Sequence, residues 1–306
     1  LQILPYGGSV TFMQNGDIYG GYSDEDLLRR EMGRFSKRDA DAYVRFARDV
    51  SRQCRFIKPM LMRTPPDPTS FKPKDLGELI YLFKRLYSLG EQTIYDTIRF
   101  YTMSVAEYLE EYFETDIVKA TLSGSGIIGT GLGPYSPGTA YVLLHHYMGE
   151  VDGSIGSWGF ARGGMGSIAN ALADAFKDHD GELLTDAEVS QIIVKRGRAT
   201  GVVLSNGDEY YAKNIVSNLD VKRTYQKLFD PKDLSEKVLK QVDNFKIRGS
   251  SGKLNIALDG VPEFPALGKN NPLMYADMHF IDSLERMERA YDDWKNGRWS
   301  RDPYTD

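Results

Sequence analysis

Helical spacing of apolar residues dominates the first half of the chain. Apolar side chains recur every three or four residues through "KRDADAYVRFARDVSRQCRFI", and Ser36 stands at the N-cap position of this stretch. The same spacing predicts a helix at 76–90, one behind Ser104, and one in "SPGTAYVLLHHYMG" with Ser136 as its cap and Pro137 as its first residue. The intervening "RTPPDPTSFKPK" contains four prolines and is predicted to be a loop.

Alternation of apolar and polar residues indicates strands at the start of the chain and in its second half. "GSVTFM" and "DIYGGY" flank Asn15-Gly16, a pair typical of a hairpin turn. Further strands are predicted at "ELLT", "EVSQIIVK", "RATGVVLS", "DEYYAK", "NIVSN" and "SGKLNIALDG". Helical patterns recur at "VKRTYQKLF", at "LSEKVLKQV" and near 280–294. This mixture indicates an α/β protein.

The composition argues against several classes of protein. The 306 residues carry a net charge of −5, which argues against a nucleic-acid-binding surface. Cys54 is the single cysteine and cannot form an internal disulfide, which indicates a reducing intracellular compartment. No apolar run reaches the roughly 20 residues that a membrane span needs. The four histidines show no metal-ligand spacing, so we expect no metal.

A G-x-G-x-x-G sequence occurs at Gly124, Gly126 and Gly129. Such a motif binds a dinucleotide only where its third glycine opens a helix whose N-terminus faces the pyrophosphate. Two more glycines and two prolines follow within eight residues and prevent that helix. We therefore interpret the segment as a glycine-rich loop.

A second glycine cluster directly precedes an amphipathic helix predicted from Ser167 to Asp178. The glycines of this cluster are Gly163, Gly164 and Gly166. Glycines at such a junction allow close approach of a phosphate or a flat cofactor, although they also occur in plain tight turns. With the following "TDAEVSQIIVKRGRATGVVLSNGDEYYAKNIVSNLD", this region resembles the middle of the phytoene desaturase-like family of FAD-dependent oxidoreductases, within the amine-oxidase superfamily. "PGTAYVLLHHYMGEVDGSIGSWGFARGGMG" and "KLNIALDGVPEF" are similar to its subgroup called pyridine nucleotide-disulfide oxidoreductase domain-containing protein 2.

The resemblance implies an α+β substrate-binding domain interleaved with part of a Rossmann-like FAD-binding domain. Residues 1–155 and 221–306 correspond to the substrate domain, and 156–220 to the FAD segment. The family's N-terminal GxGxxG unit and C-terminal flavin segment have no counterpart in the sequence. The chain is therefore expected to be a central part of such an enzyme and to bind FAD poorly by itself.

The implied activity is hydride transfer from an apolar or amine-type substrate to FAD by a dehydrogenase or desaturase. Two alternatives stay open: a flavin-dependent polyene isomerase, and a non-catalytic partner-binding protein that retains the fold. The resemblance implies no particular electron acceptor or oligomeric state.

Six residues are candidates for contact with FAD by this resemblance. They are Gly163, Gly164, Met165, Val189, Ser217 and Asn218. The family's counterpart of Val189 holds the adenine through its backbone, whereas the residue pattern alone predicts only a core valine. Ser217 and Asn218 follow a predicted strand, where ligands gather in open α/β sheets. Turn and cap chemistry explains them equally well, and Asp220 is expected to cap the next helix.

Three side chains are weak candidates for catalysis. His145 and His146 are adjacent on a predicted helix and point about 100° apart, so one at most faces a given cavity. Either is able to carry a proton at neutral pH. Arg162 precedes the glycine turn, where a cation near a flavin favours its reduced anionic form. Ordinary surface or hydrogen-bonded roles explain all three as well.

The helix at 76–90 bears on the expected partners. Its periodicity predicts a buried core helix, and the alternatives are a substrate channel or peripheral contact with a membrane, where Lys84 and Arg85 meet headgroups. We expect a small-molecule, apolar substrate and no transmembrane segment. The location is expected to be cytoplasmic in a bacterium or the mitochondrial matrix in a eukaryote.

Overall fold

Two compact units make up the chain. The computed structural model describes residues 1–5, 7–151, 154–247, 249–269 and 271–305. One unit comprises Leu1–Met165 with Ser250–Asp306, and the other comprises Gly166–Gly249. Each combines helices with β-sheet, which confirms the predicted α/β class. The predicted division into substrate-binding and FAD-binding segments concerns function and stays a prediction.

Helices fill most of the first unit. They are α1 (Glu25–Phe35), α2 (Lys37–Leu61), α3 (Pro73–Tyr87), α4 (Glu91–Thr102), α5 (Val105–Glu110), α6 (Asp116–Ile127), α7 (Thr139–Tyr147) and, after the second unit, α10 (Leu284–Lys295). Ser36 caps α2 as predicted, since its side chain accepts the Asp39 N–H. Ser104 opens α5 with a capping box. The predicted buried stripe of α2 is confirmed at Phe46, Val50 and Cys54.

The centre of this core is aromatic. Phe46 is fully buried, and the rings of Tyr112, Phe113 and Tyr147 pack edge-on against it with centroids 5.3 to 6.1 Å away. Edge-to-face geometry adds to the burial of such rings. This cluster holds α2 and α7 against the segment that follows α5.

Short strands complete the first unit. They are β1 (Ile3–Pro5), β2 (Gly8–Phe12), β3 (Ile18–Tyr22), β4 (Glu150–Val151), β5 (Ser154–Ile155), β6 (Gly159–Ala161) and, later in the chain, β10 (Asp277–His279). The predicted hairpin is confirmed as β2 and β3, and β10 lies parallel to β2. β1 pairs antiparallel with β6 and so holds the start of the chain against the strand that leads into the glycine turn.

The predicted start of α7 is wrong. The helix begins at Thr139, because Gly138 adopts a left-handed conformation with φ of 87° that ends the preceding turn. The N–H groups of Gly138 and Ala140 donate to the carbonyl of Met103. Ser136 accepts the Gly133 N–H instead of capping the helix. Contacts from distant residues therefore moved the helix start by two residues.

The G-x-G-x-x-G segment is not a loop throughout. Gly124 and Gly126 lie inside α6, and Gly129 is in the turn after it with φ of 75°. A Cβ on Gly126 would lie 2.8 Å from Cβ of Val105, which is too close for a real contact. The glycines thus allow close packing of α6 against α5. A dinucleotide site needs a helix that begins at the third glycine, whereas here a helix ends at the motif. The motif is therefore not a dinucleotide site, as predicted.

The helix predicted at 76–90 is confirmed as α3, but its predicted burial is wrong. No residue of α3 is buried, and Ile80, Phe83 and Tyr87 are 55%, 69% and 79% exposed. Leu86 of α3 packs against the core of the first unit, and polar side chains add further contacts. Glu78 of α3 pairs with Arg63, and the Arg85 guanidinium donates to the carbonyls of residues 55 and 56 at the end of α2.

The second unit contains a helix and a three-stranded meander. Its elements are α8 (Met165–Asp178, which begins in the first unit), β7 (Val189–Lys195), β8 (Arg198–Leu204), β9 (Glu209–Tyr211) and α9 (Glu236–Asn244). β7, β8 and β9 are antiparallel neighbours in that order, and tight turns at Arg196-Gly197 and Asn206-Gly207 connect them. "VKRTYQKLF" forms a short helical segment with a π-helical turn at Arg223–Lys227.

Three predicted strands are wrong. "ELLT", "NIVSN" and "SGKLNIALDG" form no strand in the described chain. In the last of these, Leu254, Ile256 and Leu258 alternate as predicted but are 61–81% exposed. Alternation supplies a pleated face but no partner, and a strand needs a neighbour for its backbone hydrogen bonds. None of the described strands pairs with these segments.

Candidate functional site

The glycine turn joins β6 to the start of α8. Gly163 and Gly164 have φ of 86° and 78°, a conformation that side chains with a Cβ adopt at a cost. The Gly164 N–H donates to the carbonyl of Ala161 across the turn. Apart from its two chain neighbours, no described residue has an atom within 4 Å of a Cβ built on Gly164, so the described chain leaves space beside this backbone. Met165, the first residue of α8, is 73% exposed.

Arg162 is fixed by the first residues of the chain. Its N–H donates to the Gln2 carbonyl (2.9 Å), and its guanidinium donates to Gln2 Oε1 (3.1 Å). The exposed Arg162 side chain makes no ion pair to a carboxylate in the described chain. The cation is thus held beside the glycine turn, and its predicted role stays open.

His145 and His146 differ in their surroundings, as their positions on α7 predict. His145 is exposed, whereas His146 is half-buried and its ring stacks on Trp158 with centroids 5.8 Å apart. His146 Nδ1 lies 2.9 Å from the carbonyl of Val142. A carbonyl only accepts, so Nδ1 carries the proton and Nε2 is the atom able to accept one.

Val189 presents its backbone at the edge of the meander. The Ser205 N–H donates to the Glu188 carbonyl, so the facing pair Val189 and Leu204 is a non-hydrogen-bonded pair. The N–H and C=O of Val189 therefore point away from β8. Further along the same edge, the Ile192 N–H donates to the carbonyl of Leu228. The side chain of Val189 is half-buried, which differs from the predicted core position.

Ser217 and Asn218 lie in an irregular segment instead of following a strand. Ser217 Oγ is 2.8 Å from Thr224 Oγ1 and also accepts the Leu219 N–H, which is turn chemistry. Asn218 is exposed. Asp220 caps the next helical segment as predicted, since its carboxylate accepts the Arg223 N–H. No hydrogen bond in the described chain joins Val189 to Ser217 or Asn218.

Each of the two backbone features, taken within its own unit, offers something that one part of a nucleotide is able to use. The open space at Gly164 allows a flat ring or a phosphate to approach the turn before a 14-residue helix. The outward N–H and C=O of Val189 offer the donor and acceptor that an adenine edge requires. Met165 lies next to the turn, whereas the Ser217 hydroxyl is already hydrogen-bonded to residues of its own segment. The described residues contain no cluster of three or more His, Cys, Asp or Glu side chains able to hold a metal.

The sequence did not predict two residues that contact the candidate catalytic side chains Arg162 and His146. Gln2 holds Arg162, and Trp158 covers His146. Gln2 and Arg162 are 160 residues apart in the chain. Since no local pattern links such distant positions, only the pairing of β1 with β6 reveals the first of them.

A family model described as flavin containing amine oxidoreductase matches residues 81–302. The chain therefore belongs to this family of flavin-dependent oxidoreductases, which confirms the predicted relationship and FAD as the cofactor. Among particular relatives, it is 30% identical over 298 residues to pyridine nucleotide-disulfide oxidoreductase domain-containing protein 2 of Mus musculus, covering 92% of this chain and 51% of that protein. The predicted subgroup is thus confirmed.

Two carotenoid enzymes are also similar. The phytoene desaturase (neurosporene-forming) of Rhodobacter capsulatus is 27% identical over 220 residues, covering 72% of this chain and 38% of the relative. A prolycopene isomerase of an Oncidium hybrid cultivar is 30% identical over 179 residues, covering 58% of this chain and 29% of the relative. The chain spans about half the length of the first curated relatives it matches.

Among solved structures, a putrescine oxidase redesigned in its cofactor binding aligns with a TM-score of 0.43 at 13% identity. The alignment covers 79% of this chain and 46% of that one. A similarity at this level adds nothing to the family assignment. No helix in the described part of the chain has both the length and the apolar character to cross a bilayer.

Proposed function

We propose that this chain forms part of an FAD-dependent dehydrogenase or desaturase acting on an apolar or amine-type substrate. Bound flavin supplies the acceptor for a hydride from a C–H or C–N bond. The open glycine turn at Gly163 and Gly164 is the observation that carries the proposal, because it offers the approach a flavin nucleotide needs at a helix start. The names of two relatives, a phytoene desaturase and a prolycopene isomerase, support a redox or isomerase activity, and the family description supports an amine-type substrate.

Each candidate residue of the chain has its own proposed role. Gly164 and Met165 allow the cofactor to approach, and the Val189 backbone holds the adenine edge. Arg162 places a positive charge next to the turn. His146 is the stronger of the two histidine candidates for proton transfer, because its Nδ1–H is fixed by the Val142 carbonyl and its Nε2 is left to accept. Ser217 and Asn218 are proposed only as neighbours of the cofactor.

A visible spectrum of the protein made from its complete reading frame tests this function. We expect the purified protein to be yellow, to release FAD on denaturation, and to bleach anaerobically when an oxidisable substrate is added. Isomerisation that occurs only with reduced flavin would favour the isomerase. A protein that stays colourless after incubation with excess FAD would contradict both and support the non-catalytic alternative.

The exposed face of α3 supports a peripheral membrane contact. Leu76, Ile80, Phe83 and Tyr87 follow one another at helical spacing along it and are all exposed. Lys84 is exposed beside them. An apolar face with flanking cations is the pattern that lies in a bilayer interface, and such contact gives access to a lipid-dissolved substrate. The predicted intracellular compartment stays a prediction.

Co-sedimentation with vesicles tests the membrane contact. The protein made from its complete reading frame is expected to bind vesicles of phosphatidylcholine with phosphatidylserine, and Ile80→Asp is expected to weaken binding about tenfold by removing one inserted apolar side chain. Ile98→Asp is the matched control, because Ile98 of α4 is 58% exposed against 55% for Ile80. Equal binding by the two variants would exclude the α3 face as the contact.

A further inference from the structure

A polar cavity of about 220 Å³ lies among α2, α4 and α5 in the first unit. Its walls include Asp49 and Gln53 of α2, Asp96 of α4, Tyr108 of α5 and Tyr112. Two arginines, Arg52 of α2 and Arg99 of α4, also line it, together with Glu111. At about 30 Å³ for each water in the liquid, this space holds about seven waters or a compact organic molecule of similar size. None of the candidate flavin residues lines it.

Gln53 is buried in this wall, and its amide oxygen already has a partner. The residue is 2% exposed, and its Oε1 accepts a hydrogen bond from the Thr97 hydroxyl at 3.0 Å. The same hydroxyl lies 2.7 Å from the carbonyl of Thr93, one helical turn earlier. The amide oxygen of Gln53 is therefore not counted among the acceptors that the wall offers to a ligand.

A chain of hydroxyl groups leaves one acceptor in the wall. The Tyr108 hydroxyl donates to Tyr112 Oη (3.3 Å), and the Tyr112 hydroxyl donates to Asp49 Oδ2 (3.1 Å). Both protons are thus directed toward Asp49, and lone pairs of Tyr108 Oη stay available. Burial, followed by the nearby Tyr112 and the charges of Asp49 and Asp96, raises the pKa of Tyr108 far above its usual value, so its hydroxyl stays neutral.

The carboxylates of the cavity are unequally neutralised. Glu111 forms an ion pair with Arg99, and Asp49 lies 3.7 and 3.9 Å from two arginines of its own helix. Asp96 forms no ion pair with a described residue and accepts one hydrogen bond, from a glutamine side chain one turn earlier (2.9 Å). Asp96 therefore provides the negative charge in this wall that lacks a cation.

We propose that the cavity binds the primary ammonium group of a small organic molecule. An ammonium has three donors and no acceptor. The wall offers it two acceptors, namely the Asp96 carboxylate and the Tyr108 hydroxyl oxygen, and the three carboxylates of the wall against its two guanidinium groups leave one net negative charge. Aromatic rings beside a cation add a further attraction. The site is separate from the residues proposed to contact flavin and does not depend on the proposed function.

Calorimetric titration of the full chain with n-butylammonium chloride tests the site. We expect saturable binding to the wild type, and at least about tenfold weaker binding to Asp96→Asn, which keeps the shape but removes the charge of a charge-assisted hydrogen bond. Asp41→Asn is the matched control, since it removes an equal charge from an exposed position of α2. Tetramethylammonium, which has no N–H group, is expected to bind at least about tenfold more weakly than n-butylammonium.

Three results would overturn the proposal: no binding to the wild type, equal affinities for Asp96→Asn and Asp41→Asn, or equal affinities for the two cations. Binding of sodium butyrate in place of the ammonium salt would also contradict it, because it would assign an anion to the cavity. Thermal unfolding verifies that each variant is folded. If Asp96→Asn does not fold, Tyr108→Phe decides the matter, because it keeps the ring and removes one acceptor.

Discussion

Asp39→Ala is expected to lower the free energy of unfolding by about 3–6 kcal/mol, because a charged acceptor that serves two backbone N–H groups is worth about 1.5–3 kcal/mol for each. Asp39 is fully buried in the first turn of α2. Its carboxylate accepts the N–H groups of Glu114 (2.8 Å) and Thr115 (3.0 Å) and the Thr115 hydroxyl, directly before α6. One side chain thus joins the starts of two helices and lies at the favourable end of the α6 dipole.

Urea denaturation of the purified chain measures this loss. Asp41→Ala is the matched control, since Asp41 lies two residues further along α2, is 66% exposed and forms a single ion pair with Arg29 at 3.4 Å. Exposed pairs of this kind contribute little, so we expect a change of about 0.5 kcal/mol or less for the control. Equal losses for the two variants would mean that the start of α6 does not depend on Asp39.

Local signals in the sequence predicted most helices and turns of the chain correctly. The Ser36 and Ser104 caps, the hairpin at Asn15-Gly16 and the buried stripe of α2 depend on residues within one or two turns of each other, so a single sequence contains them. The start of α7 depends on the carbonyl of Met103, more than thirty residues earlier, and was missed.

Burial and strand pairing were the less predictable properties. α3 has the same apolar periodicity as α2, but periodicity gives only which residues share a face and not whether another element covers it. Similarly, Leu254, Ile256 and Leu258 have the alternation of a strand without a described neighbour to pair with. Both errors concern partners, which a local pattern does not specify.

The candidate sites differ in the same way. The glycine turn is a continuous run of residues, so a turn that opens a helix could be predicted directly, whereas the strand β6 before it was not predicted. The polar side chains of the cavity come from three helices, for example at Gln53, Asp96 and Tyr108, and each residue by itself has an ordinary surface or core pattern. Only the packing of α2, α4 and α5 brings them together.

Gly164→Val is expected to weaken binding of FAD about a hundredfold or more in the protein made from its complete reading frame, equivalent to about 2.7 kcal/mol. The proposed function needs the open space beside the Gly164 backbone, and a branched side chain would fill that space, where a Cβ meets no described residue within 4 Å other than the two chain neighbours. Fluorescence titration of the apoprotein with FAD measures the dissociation constant. Retention of FAD during purification gives a second measure of binding.

The control variant must introduce the same backbone strain at a glycine that lies away from the proposed FAD contact. Gly197 of the β7–β8 turn meets this requirement, because its φ is 73° against 78° for Gly164 and a Cβ there also meets no atom within 4 Å. Valine is strained at either site, so the two variants are expected to lose similar thermal stability. If Gly197→Val weakens FAD binding as much as Gly164→Val, the loss comes from strain and the glycine turn is only a turn. A selective loss in Gly164→Val would instead identify this backbone as a surface against which FAD lies.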